Sequence, residues 1–337
     1  MSSIPQFNFM LNQQESAKFV GANEQKFRDA LAVLQGELSG SASRHMSHNY
    51  KQFKPMNRLP TTFAATGQLD KMKQFVKNFA TSSAGDVSST THVLQWIEAG
   101  FSMESIPKQA IDELRELAEV AEDKNKIALV DLFRLLILKD PQADYILQAH
   151  WELIEVCVIG YLSAQNMQDA EARLMQNYHQ MSLKMLANIF TTPKGRAAMY
   201  DPEKRGSLIE FCTKSFSSCN PKVVSHAAIV LFNYLLAFES ESKKDIQGLL
   251  GQAITSMNEH VLANESMNDK DTLIAVLLCL CRLLYKNHDL TKWVETAFKD
   301  AFKNTLESLT ARASALPDEV KFAIKDVQMM VNLEDAQ

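Results

Sequence analysis

Five apolar stretches recur along this chain roughly 46 to 53 residues apart, each long enough for a buried helix. They are ALVDLFRLLIL (128–138), SLKMLANIF (182–190), AAIVLFNYLLAF (227–238), LIAVLLCLCRLL (273–284) and KFAIKDVQMMV (321–331). One or two polar residues break each stretch: Arg134, Lys184 with Asn188, Asn233, Arg282 and Lys325. A buried helix repeating at this period predicts stacked helical units, because one unit hides its apolar face only against the next. The interruptions predict a polar ladder along one shared face. Such scaffolds usually bind extended peptides rather than perform chemistry.

From Leu59 onward the pattern is almost wholly helical, first over Gln68–Ala80, then in HVLQWIEAG capped by Ser89 or Thr90, then in a helix opened by Pro107. Further helices are predicted at about 124–139, 142–164, 168–191, 203–217, 220–239, 243–263, 269–286, 289–313 and 317–333. Pro141, Pro193, Pro202, Pro221 and Pro317 fall at these boundaries, where a missing N–H costs least. Helices such as Asp169–Tyr178 and Lys243–Met257 are more amphipathic than the five core stretches, as an outer layer requires. Residues 39–58 are polar and aperiodic and read as a linker. Residues 1–38 differ: IPQFNFML and AKFVGAN read as two short strands around a turn, followed by an amphipathic helix capped by Asn23.

Glycine, at 11 residues, and proline, at 9, are scarce among 337, which favours long helices over a turn-rich sheet. A net charge of −5 argues against general nucleic-acid binding, so any basic surface must be local. No run approaches the roughly 18 apolar residues that span a bilayer. The first residues, MSSIPQFNF, lack a basic and then apolar leader, so no secretory signal is expected. The five cysteines lie in helical patterns and read as buried free thiols of a cytoplasmic or nuclear protein. Cys279 and Cys281 are about 200° apart around a helix and cannot readily pair. His45 and His48 lack further ligands at metal-site spacing. No catalytic constellation emerges, and His92 and His226 have no cysteine placed beside them by sequence; no cofactor and no enzymatic activity are expected.

Two family resemblances enter at these residues. Ile4-Pro5 with Phe7, then Phe19-Val20-Gly21-Ala22-Asn23 and a helix, resemble the C-terminal third of a thioredoxin domain, but no Cys-x-x-Cys exists in the chain and its redox chemistry does not carry over. Residues 59–334 resemble the PUL domain, the armadillo-like module of the phospholipase A2-activating protein family and of thioredoxin–PUL fusions. The matching pieces are Asp131-x-x-Arg134, Leu183-Lys184-x-x-x-Asn188-x-Phe190 with Gly195, Leu231-x-Asn233-Tyr234 and the leucine-rich helix at 273–284. Two positions depart, Ala275 where the family carries arginine and Cys281 where it carries a small residue. The resemblance implies an all-α armadillo/HEAT-like array, preceded by a hairpin and helix as in a partial thioredoxin fold. It also implies a non-enzymatic adaptor in the ubiquitin system whose basic groove takes the acidic, tyrosine-containing C-terminal tail of the valosin-containing AAA ATPase. The alternative is the remnant of a thioredoxin-like or desumoylating-type isopeptidase whose catalytic part is elsewhere.

The expected peptide-binding residues are Arg134, Lys184, Asn188, Asn233, Tyr234, Arg282 and Lys325. Each has a plainer reading beside it. Arg134 either meets the peptide or pairs with Asp131 within its helix. Asn188 and Asn233 bond a peptide backbone or a neighbouring loop of the chain itself. Tyr234 packs in the core with its hydroxyl at the rim, and Arg282 and Lys325 equally suit solvated helix ends. Lys139, Lys194 and Arg196 are expected rim charges.

Overall fold

The computed structural model describes residues 6–11, 14–20, 50–54, 60–64, 73–74, 76–78, 90–99, 108–120, 123–138, 169–239, 244–312 and 316–331, with single positions at 143, 146, 147, 151 and 154. Gln6–Leu11 (β1) and Gln14–Val20 (β2) pair antiparallel, Phe7 opposite Phe19. The helix expected after them lies outside the described residues, and with it the likeness to a thioredoxin domain. His45, His48 and Lys139 lie outside them too. Twelve α-helices follow among the described residues: α1 (Thr91–Glu98), α2 (Lys108–Val120), α3 (Asp123–Leu136), α4 (Asp169–Ile189), α5 (Pro193–Ala198), α6 (Pro202–Ser215), α7 (Pro221–Ala237), α8 (Gln247–Met257), α9 (Lys270–Leu284), α10 (His288–Thr296), α11 (Lys299–Arg312) and α12 (Asp318–Met330). Among the described residues, no helix is long and apolar enough to cross a membrane.

The chain divides into two compact units, residues 58–279 and residues 1–57 with 280–337. In the first, α4 packs against both α3 and α7, and α6 packs against α7 and α8, which is the neighbour-on-neighbour order of an armadillo-like helical array. The apolar stretches supply the inner surfaces. Leu129, Val130, Phe133 and Leu136 of α3, Leu183, Leu186 and Ile189 of α4, and Val224, Ala228, Leu231 and Leu235 of α7 are all buried. Burying one such side chain stabilises the fold by about 1.5–3 kcal/mol, which makes these helices the source of its cohesion.

Local chemistry sets the helix starts. Pro202 and Pro221 take first-turn positions, and the preceding Asp201 and Asn220 accept the amides of Glu203 and Lys222 at 2.9 and 3.0 Å. Thr192 caps α5 by accepting from Gly195 N at 3.0 Å. Gly195 is there because a Cβ on it would lie 1.8 Å from the Ile189 carbonyl oxygen. At α1 the expected cap is corrected: Thr90 makes no side-chain cap bond. The buried Glu113 of α2 instead accepts from Val93 N at 2.9 Å and meets His92 Nδ1 at 2.8 Å.

In the second unit α10 packs on α11 and α11 on α12. The single helix expected over 289–313 is two. The Trp293 carbonyl accepts both Ala297 N and Phe298 N, at 2.9 and 3.2 Å, and the Phe298 ring stacks on Trp293 at 5.1 Å. An aromatic contact makes this break, and neither proline nor glycine marks it. The expected linker is also corrected at 50–53. Tyr50 and Phe53 are buried, and the backbone N–H groups of Lys51, Gln52 and Phe53 all donate to the Asp326 carboxylate of α12, at 2.9, 2.7 and 2.6 Å.

Candidate peptide-binding site

The polar interruptions of α3, α4 and α7 meet on one extended segment of the chain, residues 60–64. Pro60 opens it with a fixed φ and no amide hydrogen, which suits an extended strap. The side-chain amide of Asn233 accepts from Thr61 N at 3.0 Å and donates to Thr61 O at 2.9 Å. That of Asn188 does the same for Phe63, accepting at 2.8 Å and donating at 3.1 Å. Residues two apart on an extended chain turn their backbone groups to the same side, so one carboxamide per repeat reads alternate strap residues.

Each amide also reaches back one repeat. Asn188 Nδ2 donates to the Arg134 carbonyl at 2.9 Å, and Asn233 Nδ2 to the Ala187 carbonyl at 3.1 Å. Both N–H donors of each amide are thereby committed, as burial demands. These two asparagines therefore hold the strap and have no donor left for an incoming chain. Arg134 makes the expected pair with Asp131, Nε donating at 2.6 Å, and its Nη1 donates to the Phe63 carbonyl of the strap.

Around the strap lies positive charge. Lys184 Nζ sits 5.8 Å from the Phe63 ring centroid, and the His226 ring meets that ring edge-on at 5.0 Å. Burial lowers the Lys184 pKa; Arg134 and Lys222 push the same way and Asp131 partly opposes them. Burial, then Lys184 and Lys222, hold His226 down to about 4. Cations kept beside one another without a full complement of anions mark a surface prepared for negative charge. The backbone N–H and C=O of Thr62 and Ala64 have no partner among the described residues, and both residues are exposed.

Other expected residues fall elsewhere. Tyr234 is fully buried against Phe190 and Phe238, ring centroids 5.9 and 5.2 Å away, and reaches no surface. Arg196 donates to the Phe190 carbonyl at 3.0 Å and so closes the end of α4, whereas Lys194 is exposed. In the second unit Arg282 is buried, its guanidinium 5.0 Å from the Phe53 ring and 5.8 Å from that of Tyr285. Lys325 is exposed; its neighbour Asp326 is the inward-facing residue of α12. Cys281 is buried.

The sequence pattern did not single out Phe63, Lys222, Asp326 or the strap itself. One signal was available for the strap: Leu-Pro-Thr-Thr-Phe disfavours a helix at the residue before proline. Among the described residues no group of three or more His, Cys, Asp or Glu is placed to hold a metal ion. The buried His179 contacts Ser215 Oγ through Nε2 at 2.7 Å, and that hydroxyl in turn donates to the Phe211 carbonyl at 2.7 Å. That chain of bonds runs inside the core.

A comparison with curated proteins finds no match. The family model of the PUL domain matches residues 58–327, most of the 337-residue chain. PUL domains are helical protein-interaction modules. The helical array, the asparagine ladder and this match together lead to one assignment: the chain belongs to the PUL domain family.

Proposed function

We propose that this chain is a non-enzymatic adaptor of the ubiquitin system that binds the acidic C-terminal tail of the valosin-containing AAA ATPase. The tail lies along the strap, with Lys184 and Lys222 facing its carboxylates and the open backbone groups of Thr62 and Ala64 available to its main chain. Asn188 and Asn233 act through the strap they hold, and Arg134 both fixes the strap and adds to the field. The observation that carries this reading is an amide-clamped extended segment beside two lysines that form no ion pair among the described residues.

Calorimetric titration of a synthetic tail peptide at two salt concentrations tests the reading. Binding at low salt that weakens at higher salt is the expected result, since exposed charges are screened over about 8–10 Å at physiological ionic strength. Absence of binding at low salt would remove the assignment.

A further inference from the structure

The ring of Phe63 lies near two basic side chains, Lys184 at 5.8 Å and His226 at 5.0 Å. Lys222 precedes His226 by four residues on α7, so the two share a helix face, and the Lys222 charge acts on both Lys184 and His226. The titratable groups facing His226 are thus Lys222 on its own helix and Lys184 and the buried His179 on α4; the strap contributes an uncharged ring. Arg134 and Asp131 of α3 act on Lys184, and Asp131 is already bound to Arg134 at 2.6 Å. Among the described residues neither Lys184 nor Lys222 forms an ion pair. The Nδ1 atom of His226 is buried and has no hydrogen-bond partner among the described residues.

We propose that this cluster is an anion subsite in which a carboxylate of the bound peptide lies between Lys184 and Lys222 beside Phe63, and that His226 takes up one proton from solvent as the subsite fills. The proposal rests on the peptide-binding reading above and adds its acid–base consequence. No covalent bond changes; one proton moves from water to an imidazole nitrogen.

With the subsite empty, burial and two nearby positive charges hold the imidazole down to about 4, so it is neutral near pH 6. A carboxylate between the lysines cancels much of that repulsion, so the imidazole binds a proton more readily in the complex than in the free protein. The complex then holds more protons than its parts. Affinity accordingly rises as pH falls through the bound-state pKa of His226. Glutamate side chains, with an ordinary pKa near 4.3, stay ionised through pH 6, so the ligand does not contribute the same trend there.

The test uses the full chain and a tetraglutamate peptide carrying one tyrosine, with its glutamine counterpart as the uncharged control. Proton uptake is read calorimetrically at pH 6 in two buffers of different ionisation enthalpy, and the His226 ring is followed by NMR across pH 4–8. The expected result is a buffer-dependent enthalpy and a His226 pKa raised by the glutamate peptide and unmoved by the glutamine one. His226→Gln removes the uptake. Lys222→Ala, at an exposed position that cannot disturb the core, lowers affinity for the glutamate peptide by about tenfold, the scale of one close charge pair. Equal enthalpies in both buffers, or uptake that survives His226→Gln, would overturn the proposal, as would full affinity in Lys222→Ala. Should the glutamate peptide move His226 while the ATPase tail fails to bind, the subsite stands and the partner assignment falls. Tail binding with His226 unmoved removes the subsite alone.

Discussion

Residues 51–53 give three N–H groups to one carboxylate, Asp326, whereas Thr61 and Phe63 each exchange an N–H and a C=O with one carboxamide. The difference follows from what each side chain offers. An ionised carboxylate only accepts, so it closes a tight turn of converging amides, here sealed by the buried rings of Tyr50 and Phe53. A carboxamide accepts and donates, so it imitates the edge of a β-strand and keeps its partner extended. The first grip ends in a knot with nothing left to offer. The second leaves the far edge of the strap, at Thr62 and Ala64, facing outward.

Exchanging or deleting the grips should break this contrast in a set order. Asp326→Ala leaves three amides without their acceptor, one of them on buried Phe53. Denaturant unfolding should register a loss of about 4 kcal/mol, given about 1–3 kcal/mol for each buried group left unsatisfied and partial rescue by water at Lys51. Asn188→Asp comes next. It sets a carboxylate against the carbonyls of Phe63 and Arg134, and should cost about 3 kcal/mol together with most of the peptide affinity. A loss below 0.5 kcal/mol on the order-of-magnitude scale of surface changes would mean that the amide's donors contribute nothing.

The third effect is one of pH and lies in the core beneath the array. Burial, with help from His226, holds the wholly buried His179 down to about 3. The unfolded chain therefore binds a proton that the folded one refuses, and stability is full above about pH 6.5 and falls as pH drops toward 3. Between pH 7 and 5 His179 alone should contribute a loss on the order of 2 kcal/mol, with His226 adding a comparable share. The loss should be visible in amide exchange of α4 and α6, and the His179 part should vanish in His179→Asn. The smallest effect on stability belongs to Lys184→Glu. Thermal melting should move by the equivalent of less than about 0.5 kcal/mol at this half-buried position, while tail binding falls by more than about tenfold. A collapse in melting instead would make Lys184 a core residue.

The array was legible in the sequence because apolar periodicity is a local signal, and the five core stretches coincide with α3, α4, α7, α9 and α12. Asn188 and Asn233 were legible as interruptions for the same reason. Their partner was not, because nothing local links Thr61 to a residue 172 positions away. At α12 the pattern pointed to Lys325 when Asp326 faces inward: neighbours on a helix diverge by about 100°, and a lysine can lie along an apolar face by its stem. The break between α10 and α11 depends on Trp293 stacking on Phe298, a tertiary fact that helix propensity does not encode.

The two grips also set a timetable for making the protein. Stacked helices can form neighbour by neighbour as they emerge, since their contacts are short in sequence. Phe53, by contrast, must wait for a carboxylate 273 residues later. At synthesis rates of about 5–20 residues per second, that interval is roughly 14–55 s. Throughout it the buried faces of Tyr50 and Phe53 are without their final cover, so a chaperone that holds aromatic segments near the N-terminus should raise the yield of folded chain more than one acting on the finished array.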